Sequence, residues 1–120
     1  MNIYILDCYN KSIGRMASII SIILKRIDNH SLYCTSKLAL VNVCFIKIGV
    51  KLLNKKYWRH TGYPGGIKYK FGYNFGNSIL IKTILSKMLN NRTSNKNILK
   101  RLLIIEDLKD INKDSQYINV

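Results

Sequence analysis

The residues best suited to chemistry stand in one run, Tyr57-Trp58-Arg59-His60-Thr61-Gly62-Tyr63-Pro64-Gly65-Gly66-Ile67-Lys68. It interleaves aromatic rings, cations, a hydroxyl and glycines. Glycines let a backbone approach a polyanion closely and present its N–H groups. Arg59, Lys68 and Lys70 can neutralise phosphates, and tyrosine and tryptophan rings can stack on unpaired bases or on sugars. A tight turn that packs some of the rings inward would account for those rings and leave the cations unexplained.

Catalytic and metal chemistry find less support. The two histidines are His30 and His60, and no acid stands within 30 residues of His60 on either side. A general base needs a carboxylate to orient it, and only Asp7, brought in through the fold, could reach. His30, Cys34, Cys44 and His60 show no short paired spacing of the zinc type. Cys8, Cys34 and Cys44 are odd in number and irregularly placed, which fits buried apolar residues in a reducing compartment better than a disulfide framework. No catalytic residue, metal or cofactor is expected.

A phosphate-binding turn is the third candidate. A strand, the turn Asn10-Lys11-Ser12-Ile13-Gly14-Arg15 and a helix have the order of a dinucleotide-binding βα unit. The turn has neither the Gly-x-Gly-x-x-Gly pattern nor the Gly-x-x-x-x-Gly-Lys-Ser/Thr loop. A nucleotide-dependent enzyme on a doubly wound sheet is therefore the second reading. Lys11, Ser12 and Arg15 can still hold a backbone phosphate of a nucleic acid.

The composition agrees with a polyanion partner. The chain has 120 residues, 20 Lys plus Arg and 6 Asp plus Glu, a net charge of +14. Hydrophobic residues make up 48%, too many for a disordered basic tail, so one folded domain is expected. From Asn29 to Ile105 there are 14 basic residues and no acid. Surface ion pairing would mix the signs; this segment reads as a face for phosphates. A membrane surface would call for a basic amphipathic helix or a polybasic run, and neither is obvious. Met16 to Leu24, the longest apolar stretch, is too short to span a bilayer, and the first residues do not read as a secretory signal. Ile, Asn and Lys, all with AT-rich codons, dominate the composition, which points to an AT-biased genome such as an organelle's.

These residues need elements to position them. Ile3 to Cys8 reads as a strand buried on both faces. A helix is predicted from Gly14 to about Ile27, with Arg15, Ser18, Ser21 and Lys25 as its polar face. Leu38 to Ile48 is β-prone but long for one strand: two strands, or a strand and a sharp bend. A right-handed βαβ unit with parallel strands follows. His60 to Gly66 is a shaped loop, and residues 69–77 have no clear period. A second helix is expected from Ser78, as N-cap, to Leu89. A short helix near Ile98 leads to an apolar patch, Leu102 to Ile105. The tail after Glu106 has no core pattern.

Two of these motifs carry a resemblance. Tyr57 to Lys68 is similar to the His-Thr-Gly-x-x-Gly-Gly segment of the universal large-subunit ribosomal protein family L-thirteen, in its bacterial and organellar form. Leu6 to Ala17 resembles that family's first strand, its Gly-Lys-Thr/Ser-Leu-Gly-Arg turn and the start of its first helix. Ser86-Lys87-Met88-Leu89 is a weaker match to its Lys-Gly-Met-Leu-Pro. Order and spacing agree over residues 3–106. There are departures: Asn10 replaces a glycine, the stretch from Asp28 to Lys37 is shortened, Lys87 stands where the family has glycine, and Asn90 to Lys96 lacks the usual proline and glycines.

The resemblance implies a three-layer α/β fold with a four-stranded, mainly parallel sheet flanked by helices. It implies an rRNA-binding domain over residues 1–106 with a C-terminal tail at 107–120. The function implied is that of a non-enzymatic constituent of the large ribosomal subunit, organising rRNA in assembly and translation. Its partners would be large-subunit rRNA and neighbouring large-subunit ribosomal proteins, with no membrane and no small-molecule substrate. The RNA-binding residues expected are Lys11, Ser12, Arg15, Tyr57, Arg59, His60, Thr61, Gly62, Tyr63, Gly65, Gly66, Lys68, Lys70, Arg92, Lys96, Lys100 and Arg101. The ribosome is expected to be organellar, mitochondrial ahead of plastid, with bacterial cytoplasm as the remaining option.

Overall fold

Apolar residues alternate between the two sides of the first strand, and the architecture follows from that. The computed structural model describes residues 2–29, 36–89, 97–105 and 115–118. The elements are β1 (Ile3–Asp7), α1 (Ile13–Asn29), β2 (Lys37–Val41), α2 (Val50–Leu53), β3 (Lys56–His60), β4 (Ile67–Phe71), α3 (Asn77–Met88), β5 (Leu102–Ile105) and β6 (Ser115–Ile118). Four strands form a sheet in the order β5-β2-β1-β6, and every pairing in it is parallel. β3 and β4 form a separate antiparallel hairpin.

Leu6, Leu38 and Leu40 point to the sheet face that α1 and α3 cover, where they pack with Met16, Ile20, Leu24, Leu80, Ile81 and Leu85. Ile5, Ala39 and Val41 point to the opposite face and are buried as well. Burial on both faces is what a parallel sheet in an α/β fold requires, and it explains why β1 and β2 read as continuous apolar runs. Each large side chain in this core contributes roughly 1.5–3 kcal/mol.

Several local expectations are refined. β2 stops at Val41 because Asn42 takes a left-handed conformation, φ 58°, and a 3-10 turn follows over Val43–Phe45. The long β-prone stretch is thus a strand and a sharp bend. In α1 the polar stripe is interrupted: Ser21 is buried and its hydroxyl donates to the Ser18 carbonyl at 2.7 Å, while Ile22 is exposed. A buried serine tolerates this because the local backbone carbonyl satisfies it. α3 begins one residue before Ser78, with Gly76 at the N-cap and no side-chain cap bond. Asn77 instead ties the helix start to the bend, its Nδ2 donating to the Val43 and Cys44 carbonyls at 3.3 and 3.0 Å. Beyond 106, where no core pattern is visible, β6 pairs with β1 and completes the sheet. Residues 97–99 are helical, as expected near Ile98. Among the described residues no helix is long and apolar enough to cross a membrane.

Candidate nucleic-acid interface

The glycine-rich aromatic and basic run folds into a β-hairpin. Lys56 to His60 and Ile67 to Phe71 alternate across the ribbon, and directly paired residues share a face. Tyr57 pairs with Lys70 and Arg59 with Lys68 on one face; Lys56 pairs with Phe71, Trp58 with Tyr69 and His60 with Ile67 on the other.

The connecting turn is built by its own atoms. Tyr63-Pro64-Gly65-Gly66 closes with the Gly66 N–H donating to the Tyr63 carbonyl at 3.0 Å. Gly65 has φ +72°. Proline second and a positive-φ glycine third is the pattern of a type II turn. A Cβ on Gly66 would collide with Thr61 Oγ1 and stand 2.8 Å from the Tyr63 carbonyl oxygen. Of this glycine pair, Gly65 is the one that takes positive φ. The close approach at Gly66 is to the protein itself. The Thr61 N–H donates to the Gly66 carbonyl at 2.9 Å, and the Gly62 N–H to His60 Nδ1 at 2.9 Å. His60 therefore accepts at Nδ1 and holds the turn in shape.

The hairpin bounds a groove of about 770 Å³ lined by Tyr57, Arg59, Thr61, Lys68, Lys70, Phe75 and Thr83, with Trp58, Ile67 and Tyr69 of the other face along it as well. Three cations, Arg59, Lys68 and Lys70, are exposed at this groove. Like charges opposed across a ribbon repel, and Arg59 opposite Lys68 lowers hairpin stability unless an anion lies between them. Thr83 also lines a second groove, of about 500 Å³, with Lys82, Ser86, Leu99 and Lys100. Thr83 thus borders both grooves, and the second carries Lys82, which sequence reasoning missed. Only its exposure on the helix marks it.

Tyr57 is a correction. Only 6% of it is exposed, its ring meets Phe75 edge-on at 5.5 Å and Lys87 Nζ lies 4.8 Å from its centroid. It anchors the hairpin to the core, and its ring cannot stack on a base. Its hydroxyl is buried without a hydrogen-bond partner among the described residues, and burial pushes the phenol up from its ordinary range. Arg101 has partners within the protein. Its guanidinium donates to the Ile27 carbonyl at 3.3 Å and pairs with Asp28 at 3.2 Å, so it clasps the end of α1. A cation at a helix C-terminus is favoured there by the orphan carbonyls. Lys100 stays exposed, and Arg92 and Lys96 lie outside the described residues.

Lys11, Ser12 and Arg15 come together at the β1–α1 turn. Asn10 takes φ 56°, as a glycine would. The turn is stitched to the following bend: Asn10 N–H donates to the Phe45 carbonyl at 3.2 Å, Ile13 N–H to the Lys47 carbonyl at 3.0 Å, and Lys47 N–H to the Lys11 carbonyl at 2.8 Å. Lys47 is thereby brought beside Ser12, a neighbour that spacing alone did not reveal. The Asp7 carboxylate accepts from Tyr9 N–H at 2.9 Å and Asn42 Nδ2 at 3.0 Å, tying the left-handed Asn42 to the turn. These bonds commit N–H groups that a dinucleotide's pyrophosphate would use. Asp7 is held at this turn, with no bond to His60. Cys8 is buried, and burial together with Asp7 raises its thiol pKa to about 11. His30 and Cys34 lie outside the described residues, among which no three His, Cys, Asp or Glu side chains gather as a metal site would need.

The chain is 38% identical over 73 residues to "Large ribosomal subunit protein uL13" of Rickettsia typhi, covering 54% of this chain and 47% of that protein. It is 40% identical over 70 residues to "Large ribosomal subunit protein uL13c" of Gracilaria tenuistipitata var. liui, covering 54% and 49%. It is 41% identical over 70 residues to "Large ribosomal subunit protein uL13" of Geobacter sulfurreducens, again covering 54% and 49%. The matches span about half the length of these curated relatives. The family model for Ribosomal protein L13 matches residues 1–110, nearly the whole chain, and the chain belongs to that family.

Proposed function

We propose that this protein is a structural constituent of the large ribosomal subunit that binds and organises large-subunit rRNA in assembly and translation. The observation that carries the reading is the hairpin groove, where Arg59, Lys68 and Lys70 converge in a segment that holds no acid from Asn29 to Ile105. Each phosphate seated there or at the Lys11–Arg15 turn releases counterions, which supplies affinity without base contacts. His60, Thr61, Gly62, Tyr63, Gly65 and Gly66 shape the loop that is offered to the RNA. The RNA-binding unit in this reading is residues 1–106, and residues 107–120 extend its sheet through β6. Neighbouring large-subunit ribosomal proteins are its other partners. It performs no reaction and needs no cofactor, since its role is to hold RNA in shape. Residue usage rich in Ile, Asn and Lys, together with the trimmed loops, favours an organellar ribosome, mitochondrial ahead of plastid.

Sucrose-gradient fractionation of the source cells, with separated organelles, tests this. The chain is expected with the large subunit, released only by high salt. Finding it free at low salt in healthy cells would overturn the reading, and the organelle fraction that carries it decides the compartment.

A further inference from the structure

The hairpin has a second face, and although its Trp58, Ile67 and Tyr69 also border the groove, phosphate binding by Arg59, Lys68 and Lys70 leaves its rings unused. Opposite the Tyr57 face, Trp58 is 59% exposed and Tyr69 50% exposed, with ring centroids 5.2 Å apart. The row continues through Phe71, 5.7 Å from Tyr69, to Tyr73, which stacks on Phe71 at 5.2 Å with ring planes 9° apart. Lys56 Nζ lies across the row, 4.9 Å from the Tyr69 centroid, 5.6 Å from Phe71 and 6.0 Å from Trp58. Contiguous exposed aromatic surface of this kind marks a binding site more often than an ordinary surface.

The chemistry of the occupant follows from two constraints. It must offer flat apolar surface to the rings. It must also bring negative charge, because covering Lys56 without a counter-charge is costly and no acid of the described residues pairs with it. An unpaired nucleotide supplies both, a base with a π-face and an attached phosphate. Duplex RNA offers the phosphates but keeps its bases stacked inside. We propose that Trp58, Tyr69 and Lys56 form a platform for an unpaired nucleotide, the base stacking on Trp58 and the phosphate meeting Lys56. The flexible lysine stem lets Nζ lift from the rings onto the phosphate. This rests on the rRNA reading and narrows it: the groove takes backbone, and the outer face takes a base that has left its helix.

Trp58 is the only tryptophan, so its emission reports this site alone. The intact chain is titrated with three end-labelled probes of equal length: a ten-residue oligoadenylate, an abasic sugar-phosphate strand and an RNA duplex. Label anisotropy reads binding, and tryptophan emission reads stacking. The oligoadenylate is expected to quench Trp58 and to bind roughly five- to a hundredfold tighter than the abasic strand. Trp58→Leu should abolish that preference and Trp58→Phe retain part of it; circular dichroism checks that both fold, and Tyr69→Leu provides a second variant. Equal binding of the oligoadenylate and abasic strands without quenching overturns the platform while leaving the groove intact, and a patch that serves a protein neighbour gives this same result. Binding of none of the three probes overturns the rRNA reading together with the platform.

Discussion

Replacing Gly65 and Gly66 together with alanine tests whether this protein binds RNA by shape or by charge alone. Gly65 has φ +72° and open space where a methyl group would sit, so its alanine variant suffers only the backbone penalty, about 1 kcal/mol. Gly66 is different. Its Cβ would meet Thr61 Oγ1, which can rotate away, and the Tyr63 carbonyl oxygen at 2.8 Å, which cannot move without breaking the bond that closes the turn. That conflict costs roughly 1–3 kcal/mol, enough to open the turn of a two-stranded ribbon, which is marginal by itself. The core survives, because of the hairpin residues only Tyr57 belongs to it. The thermal midpoint followed by circular dichroism should therefore barely move. RNA affinity should fall roughly five- to a hundredfold, corresponding to about 1–3 kcal/mol. The salt slope should stay unchanged, since every cation remains. Gly65→Asn provides the control: Asn10 and Asn42 already take left-handed conformations in this chain, so asparagine should preserve the turn and the affinity. Wild-type affinity of the double alanine variant at two salt concentrations would refute the reasoning and make the segment an ordinary turn.

Further outcomes follow from the individual contacts. Arg15→Ala and Lys68→Ala should each reduce the salt slope of RNA binding by about one, with little loss of stability; unfolding with unchanged affinity per folded molecule would make the residue structural. Arg101→Ala should do the reverse, losing about 1 kcal/mol and a few degrees of thermal midpoint as the clasp on Ile27 and Asp28 goes, with RNA affinity intact; an affinity loss at unchanged stability would return Arg101 to the interface. The Cys8 thiol, raised from 9.0 to about 11, stays protonated in the folded protein while its unfolded counterpart ionises. Its contribution is fully present below pH 9 and is lost as pH rises towards 11, on the order of 2–3 kcal/mol. Cys8→Ala should therefore flatten the alkaline decline in urea-unfolding free energy, and an identical slope in both proteins would rule out Cys8 as its source.

The core was legible because its signals are redundant. β1 and β2 are apolar on both faces, α1 carries buried residues at helical spacing, and Asn10 can adopt the backbone that a turn glycine would adopt. The hairpin was half legible. Its glycine-rich turn stood out, but only Ile67 to Phe71 alternates lysine with apolar and aromatic residues, while Lys56 to His60 sets Tyr57 beside Trp58 and Arg59 beside His60, so each face of the ribbon mixes rings and cations. No hydrophobic contrast marks such strands, even though alternating runs flanking a Pro-Gly turn are a hairpin signal. β6 was not legible at all, because a short edge strand needs only one paired side and shows no core pattern.

The candidate site shows why cations are harder to assign than core residues. Arg101 and Lys100 are adjacent, and by type they are equivalent RNA ligands. One is drawn to Asp28 and the Ile27 carbonyl at the end of α1, while the other faces the second groove. The difference is made by an acid 73 positions away, and a partner across the fold is invisible to local spacing. Tyr57 and Trp58 divide in the same way: neighbours on a strand point to opposite faces, so one ring anchors the hairpin and the other is offered to solvent. The motif thus marks a candidate interface, and strand parity and the few acids decide which of its residues are left exposed to meet a ligand.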